Sequence, residues 1–245
     1  MNSVRKNFNR HEEKYIVSLE NLAKIFEYLR ERLSLDPYSK MRSDGFYAVT
    51  NLYFDSDDFR CYYERMDNSG SGVKIRLRSY DNAIGPDSII YPEIKERIGE
   101  FVTKDRFPIP SSSFESFISS PKEFLHSHSG KDQDAMKRFI DFMNVMGLKP
   151  KAVMRYDRAA FIDGESGKLR ITVDKNFFTG RSEIFTDKNS LQEIFTGQVI
   201  VEIKFSNGSS NFLKSLLNEY KLEKTTASKH CLAIEHSYAL GERKL

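Results

Sequence analysis

Tryptophan is missing from this 245-residue chain, and cysteine occurs only at Cys61 and Cys231. Two cysteines so far apart form neither a CxxC pair nor a zinc-ligand spacing, so they read as unpaired thiols in a reducing compartment. No apolar run approaches the length of a membrane span, and the first eight residues, Met1-Asn-Ser-Val-Arg-Lys-Asn-Phe8, have no apolar stretch of the secretory kind. The expectation is a cytoplasmic protein. There is no Gly-x-x-x-x-Gly-Lys motif, so any phosphate would be held by side chains and not by a glycine loop. No Ser-His-Asp set is visible, which argues against a covalent nucleophile. His126-Ser-His128 sits in a Ser- and Pro-rich stretch and reads as exposed loop. Excess charge is scarce too: the formal net charge is +3, so any basic character must come from placement.

Apolar residues are plentiful. They make up 39% of the chain and aromatics 13%, enough for a packed core and for exclusion of global disorder. No repeat or domain boundary stands out, and residues 1–245 read as one domain. Strands are expected at about 10–17, 46–54, 73–80, 89–97, 101–107, 152–162, 168–175 and 199–205. Helices are expected at about 19–33 with Ser18 as N-cap, at 134–146 ended by Gly147, and at 209–220. The stretch 108–134 should lie outside the sheet with short helical turns near Phe114 to Ile118. Turn chemistry marks Asp67–Gly72 and Asp163–Gly167.

The most informative segment is Gly72-Val-Lys-Ile-Arg-Leu-Arg-Ser-Tyr80. Side chains of a strand alternate between faces, so Lys74, Arg76 and Arg78 share one face about 7 Å apart, with Val73, Ile75 and Leu77 on the other. The habit recurs in Arg10-x-Glu12-x-Lys14, Glu93-x-Lys95, Lys104-x-Arg106, Arg170-x-Thr172-x-Asp174 and Glu202-x-Lys204. On one strand a solvated face would explain it. Across six strands the charged faces are rich in Lys, Arg and Glu, with few neutral polar residues among them. The expected fold is therefore α+β: a closed antiparallel β-barrel of about eight strands, its lumen a charged tunnel, covered outside by amphipathic helices. A lumen crowded with cations around a few carboxylates suits a phosphate chain and a divalent metal. Interspersed glutamates would repel a phosphodiester backbone, so no nucleic acid is expected.

The ordered segments Arg10-His-Glu12-Glu-Lys14-Tyr15, Asn51-Leu-Tyr-Phe-Asp55, Val73 to Tyr80, Glu93-Ile-Lys95, Arg155-Tyr-Asp-Arg158, Leu169 to Asp174, Val201-Glu202-Ile-Lys204 and Ser228-Lys229-His-Cys231 resemble the triphosphate tunnel metalloenzyme (CYTH-like) superfamily, and within it the VTC-type polyphosphate polymerase domains. The likeness runs over about residues 8–238. Arg10 stands where the wider superfamily has glutamate, which favours the VTC branch. His230 stands where an aromatic tyrosine is usual. The resemblance implies transfer of the γ-phosphoryl group of ATP onto a growing polyphosphate chain. Arg76, Arg78, Lys95, Arg158, Arg170 and Glu202 would be catalytic. Arg10, Lys14, Lys74, Lys104, Arg106, Lys204 and Lys229 would bind phosphates. Glu202 and then Glu12 would hold Mn²⁺ or Mg²⁺. Glu93 is a third candidate, and Asp174 would either join the metal or orient Arg170. The implied partners are ATP and inorganic polyphosphate or triphosphate, with a separate membrane protein if polymer must cross a bilayer. A tri- or polyphosphate hydrolase on the same barrel, or a polyphosphate-binding module without turnover, fits the same residues.

Overall fold

The computed structural model describes residues 10–67, 70–99, 101–163, 169–185, 188–206 and 211–240, with the side chains of Arg10 and Asn211 outside that description. The tips of the two expected turns, 68–69 and 164–168, lie outside the described residues. In chain order the strands and α-helices are β1 (Arg10–Ser18), α1 (Leu22–Arg30), β2 (Ser34–Leu35), α2 (Pro37–Lys40), β3 (Tyr47–Asp55), α3 (Arg60–Met66), β4 (Ser71–Ser79), β5 (Ile89–Ile98), β6 (Phe101–Arg106) and β7 (Ile109–Pro110). They continue with α4 (Phe114–Ser119), α5 (Gly130–Val145), β8 (Lys149–Ile162), β9 (Leu169–Arg181), β10 (Gln192–Ile194), β11 (Gln198–Ser206), α6 (Asn211–Glu219), β12 (Glu223–Lys224) and α7 (Lys229–Tyr238).

The strands form a 12-stranded sheet in the order β12-β1-β11-β9-β8-β3-β4-β5-β6, with β2, β7 and β10 pairing off that path. Every pairing is antiparallel. The sheet is not a closed barrel, which corrects the expectation. Closure needs a ladder between β1 and the far edge, yet the outer edge of β1 is taken by β12 through Tyr15↔Lys224 and Ile16↔Glu223. Thr225 N–H extends that cover by donating to Lys14 C=O at 2.9 Å. The far edge is left to β6, which pairs only with β5 among the described residues. The sheet is nonetheless strongly curled. Glu12 on β1 reaches Lys95 on β5 at 3.5 Å, although the two strands lie near opposite ends of the path.

The apolar strand faces receive the helices, as the alternation predicts. Ile25 and Leu29 of α1 and Leu213 and Leu216 of α6 pack with Ile171, Val173, Val201 and Ile203. Met136, Phe139 and Ile140 of α5 pack with Phe54, Ile75, Leu77 and Ile94. Each large side chain so buried contributes roughly 1.5–3 kcal/mol. Ser18 accepts a hydrogen bond from Glu20 N–H, but a 3-10 turn over Leu19–Asn21 precedes α1, so the helix is shorter than expected. Gly147, at φ 61°, supplies the left-handed residue after α5.

Helix α7 sits on the other side of the sheet. Leu232, Ala233 and Ile234 pack with Tyr53, Tyr156 and Phe177, on the charged, inner face. That placement gives the inner face two unlike ends. One is filled by α7 against Asp55 and Tyr53 of β3. The other is marked by Tyr47, at the opposite end of the same strand.

Candidate functional site

Strand parity brings the predicted side chains onto one inner face. From β4 come Lys74, Arg76 and Arg78; from β5 and β6, Glu93, Lys95, Lys104 and Arg106, with Arg76↔Glu93 and Glu93↔Arg106 in register. From β8 and β9 come Arg158, Arg170, Thr172 and Asp174, with Arg158↔Asp174 in register. Strands β11 and β1 add Glu202, Lys204, Glu12 and Lys14, through Lys14↔Glu202 and Glu12↔Lys204. The backbone of Arg10 pairs with Ser206 on the same ladder; its side chain lies outside the described residues.

Buried carboxylates hold several of these cations in place. Asp174, fully buried, takes Arg158 through two hydrogen bonds, Nε to Oδ1 at 2.6 Å and Nη2 to Oδ2 at 2.8 Å. It also pairs with Lys229 Nζ at 2.8 Å. Burial pushes the Asp174 carboxyl up, but Arg158 and Lys229 outweigh it and keep the group below the usual carboxylate range. Glu93 is held the same way: one oxygen accepts Arg76 Nε at 2.9 Å and Nη2 at 2.6 Å, and the other lies 3.3 Å from Lys104. Arg78 donates Nε to Asn51 Oδ1 at 2.8 Å and stands 3.8 Å from Glu93. Burial opposes the charge on Glu93, and Arg76, Arg78 and Lys104 restore it.

Asp174 thus orients Arg158 and Lys229, not Arg170. Arg170 turns instead to Asp36, 2.8 Å away, whose other oxygen accepts Ser39 N–H at the start of α2. Glu93 and Asp174, each committed to a guanidinium through two short hydrogen bonds, are poorly placed as metal ligands.

Glu12 and Glu202 differ from that pair. Both face the Lys204 ammonium, at 3.9 Å and 2.5 Å. Glu12 also lies 3.8 Å from Lys14 and 3.5 Å from Lys95. Burial and the charge of Glu202 push Glu12 up, and Lys204, Lys95 and Lys14 bring it below the ordinary value. Glu202 is held well below its ordinary value against burial by Lys204, Lys229, Lys14 and Arg158. Two anionic carboxylates that both face the Lys204 ammonium form a hard-oxygen donor set suited to a divalent cation in place of that ammonium. No cluster of three or more His, Cys, Asp or Glu side chains suited to a metal occurs among the described residues. Glu12 and Glu202 alone would leave the remaining positions of a Mg²⁺-type ion to water and phosphate oxygens. The residues fit the metal.

Lys74 pairs with no carboxylate among the described residues; its Nζ donates to Ser228 Oγ at 2.7 Å, and Ser228 caps α7. Burial pushes the Lys74 ammonium down to about 7, with the Cys231 thiol opposing and Lys14, Arg65 and Lys95 adding to the depression. Lys14 is lowered too, by burial, and Lys104 falls to about 8 by burial against the pull of Glu93. Arg106 lies over the Tyr91 ring at 5.2 Å.

Some residues of this face escaped the sequence reading. Asn51 positions Arg78, and Asp36 positions Arg170. The Tyr156 hydroxyl and Thr172 Oγ1 are buried without a hydrogen-bond partner among the described residues. Lys229 Nζ lies 5.1 Å and Arg158 Cζ 5.3 Å from the Tyr156 ring centroid. The parity of Tyr156 with Arg158 was the available signal. Asp55 closes the segment Asn51-Leu-Tyr-Phe-Asp55. It ends β3 and accepts the N–H groups of Ser56, Cys61 and Tyr62, with His230 Nε2 3.3 Å away.

The VTC domain family's sequence profile matches residues 9–238. Among curated proteins, vacuolar transporter chaperone complex subunit 4 of Schizosaccharomyces pombe is 25% identical over 194 residues, covering 71% of this chain and 26% of its own length. The Trypanosoma cruzi protein of the same name is 25% identical over 203 residues, covering 68% of this chain and 25% of its own. The chain therefore spans about a quarter of the length of these relatives. Among solved structures, an adenylyl cyclase candidate from Hippeastrum, described as having a dominant triphosphatase activity, superposes with a TM-score of 0.55 at 15% identity, covering 94% of this chain and 96% of that one. An adenylate cyclase candidate from Bacillus halodurans gives 0.52 at 15% identity, covering 94% and 99%. At that identity the likeness concerns the fold.

Proposed function

The chain belongs to the VTC domain family, and from that premise we propose that it is a polyphosphate polymerase. Its reaction is the transfer of the ATP γ-phosphoryl group onto a growing chain of inorganic polyphosphate. The observation that carries this reading is the set of guanidinium and ammonium groups fixed on one inner face by buried carboxylates, Arg158 and Lys229 by Asp174 and Arg76 by Glu93. Phosphoryl transfer asks a protein mainly for positioning and for stabilisation of charge, and cations already oriented need no reorganisation when that charge develops.

In the transfer a terminal oxygen of the polymer forms a bond to the γ-phosphorus as the bond to the β,γ-bridging oxygen breaks, and ADP leaves with that electron pair. Arg158 and Arg78 offer planar forks to equatorial oxygens. Arg76, Arg170 and Lys95 complete their charge. Lys14, Lys74, Lys104, Arg106, Lys204 and Lys229, with Arg10, hold the phosphates on either side of the reacting centre. Glu202 and Glu12 would hold Mn²⁺ or Mg²⁺, which would supply positive charge to the phosphate oxygens.

The test is incubation with ATP and Mn²⁺ or Mg²⁺, with products resolved by ³¹P NMR and gel electrophoresis. Chains longer than triphosphate are expected. Orthophosphate alone would replace this reading by a hydrolase, and tight binding without turnover by a polyphosphate-binding module.

No helix among the described residues is long and apolar enough to cross a membrane. The named relatives are subunits of a complex. We place this domain on the cytoplasmic side of a separate membrane partner that would receive the polymer.

A further inference from the structure

At the end of the inner face away from α7, four tyrosines from four elements meet. Tyr38 of α2 stacks on Tyr80, just past β4, with centroids 5.7 Å apart and planes at 21°. Tyr47 of β3 lies 5.7 Å from Tyr38, and Tyr91 of β5 lies 5.9 Å from Tyr80. Tyr47 is buried, but Tyr38 remains 50% exposed. The exposed face of that ring is free to take a further stacking partner.

The group is continuous with the phosphate-binding cations. Arg78 lies 5.8 Å from the Tyr80 ring while donating inward to Asn51, and Arg106 lies 5.2 Å over Tyr91 while standing opposite Glu93. Arg78 is also the register partner of Tyr91. The tyrosines therefore lie within one or two strand residues, about 7 Å, of the guanidinium groups. A ligand that uses both features must be aromatic at one end and polyanionic at the other. Inorganic polyphosphate has no ring to stack.

We propose that the Tyr38–Tyr47–Tyr80–Tyr91 rim is the base-binding subsite for a nucleoside triphosphate donor, with Arg78 and Arg106 receiving its phosphates. This assignment rests on the polymerase reading for the donor's role and names where the donor's base lies. It fixes the polarity of the site: nucleoside at the tyrosine rim, reacting phosphate toward Glu202 and Lys229, polymer beyond. Stacking on tyrosine uses the π-face that every base has, so the subsite accepts guanine as well as adenine and holds the smaller pyrimidines less well.

The experiment is calorimetric titration of the full chain, with Mg²⁺, by a non-hydrolysable ATP analogue, its GTP and UTP counterparts, and inorganic triphosphate. It is repeated with Tyr38→Ala and Tyr38→Phe. The unaltered protein is expected to bind the ATP and GTP analogues about tenfold more tightly than triphosphate. Tyr38→Ala abolishes that preference and leaves triphosphate affinity unchanged, which also verifies the fold of the variant. Tyr38→Phe retains it. No preference in the unaltered protein, a preference that survives Tyr38→Ala, or an equal loss for triphosphate overturns the proposal. Nucleotide binding at the rim without polymer synthesis would instead remove the polymerase reading and leave this subsite standing. Failure to bind any of the four ligands overturns both.

Discussion

Replacing Asp174 by asparagine keeps the side chain's shape and removes its charge, which isolates what this carboxylate does. Its Oδ1 accepts Arg158 Nε, whereas its Oδ2 faces both Arg158 Nη2 and Lys229 Nζ at 2.8 Å. An asparagine can keep the first contact. At the second position its NH₂ group points at two cationic donors, so the amide loses both contacts there and leaves two buried cations with only Glu202 as counter-charge. Removing one partner of a buried ion pair costs about 3–5 kcal/mol. For a chain of this size that lowers Tm by roughly 6–20 °C, at about 2–4 °C per kcal/mol. With no tryptophan in the chain, urea unfolding is best followed by circular dichroism, taking the midpoint and the slope together. Inorganic triphosphate should recover part of the loss by pairing with the freed cations. A loss under about 1 kcal/mol, the worth of an exposed pair, would refute the reasoning, because Arg158 and Lys229 would then be sufficiently solvated without Asp174.

Glu202→Gln should weaken Mn²⁺ binding by at least about tenfold and lower turnover at saturating ATP by about a hundredfold, measured by calorimetry and product gels; unchanged metal affinity would remove Glu202 as a ligand. Lys74 supplies a pH prediction. Its folded value of about 7 lies below the ordinary 10.5, so between those values the unfolded chain holds more protons and this residue's contribution to stability rises with pH. Bound polyphosphate restores the proton, so triphosphate affinity attributable to Lys74 should fall about fivefold from pH 7 to 8. Lys74→Met should flatten that difference in parallel titrations, and an unchanged slope would assign it to other groups.

The inner face was legible because charge placement in a strand is a period-two signal, and Lys74, Arg76 and Arg78 follow it without a break. The helix-bearing faces were legible for the same reason. Other features depended on contacts distant in sequence. Asp36 and Arg170 meet across 134 residues, and no local pattern announces that bond. The failure of closure came from Glu223–Lys224, two residues too few to read as a strand, which nevertheless cover the edge of β1. The pairing choice of Asp174 turned on which arginine lay directly across the ladder. Arg158 does, through β8 and β9, while Arg170 shares a strand with it four residues away.

The uncovered seam has a mechanical meaning. In a sealed cylinder a long polyanion can come and go only end first, sliding its whole length past every cation. Here the open edges belong to β12 and β6, and just inside them β1 and β5 meet through the Glu12–Lys95 ion pair, both side chains partly solvated. Parting them breaks an interaction worth about 0–1 kcal/mol and no backbone ladder among the described residues. In the proposed polymerase, a polymer far longer than the protein would then leave sideways, like a cord lifted from a slotted guide, without being unthreaded.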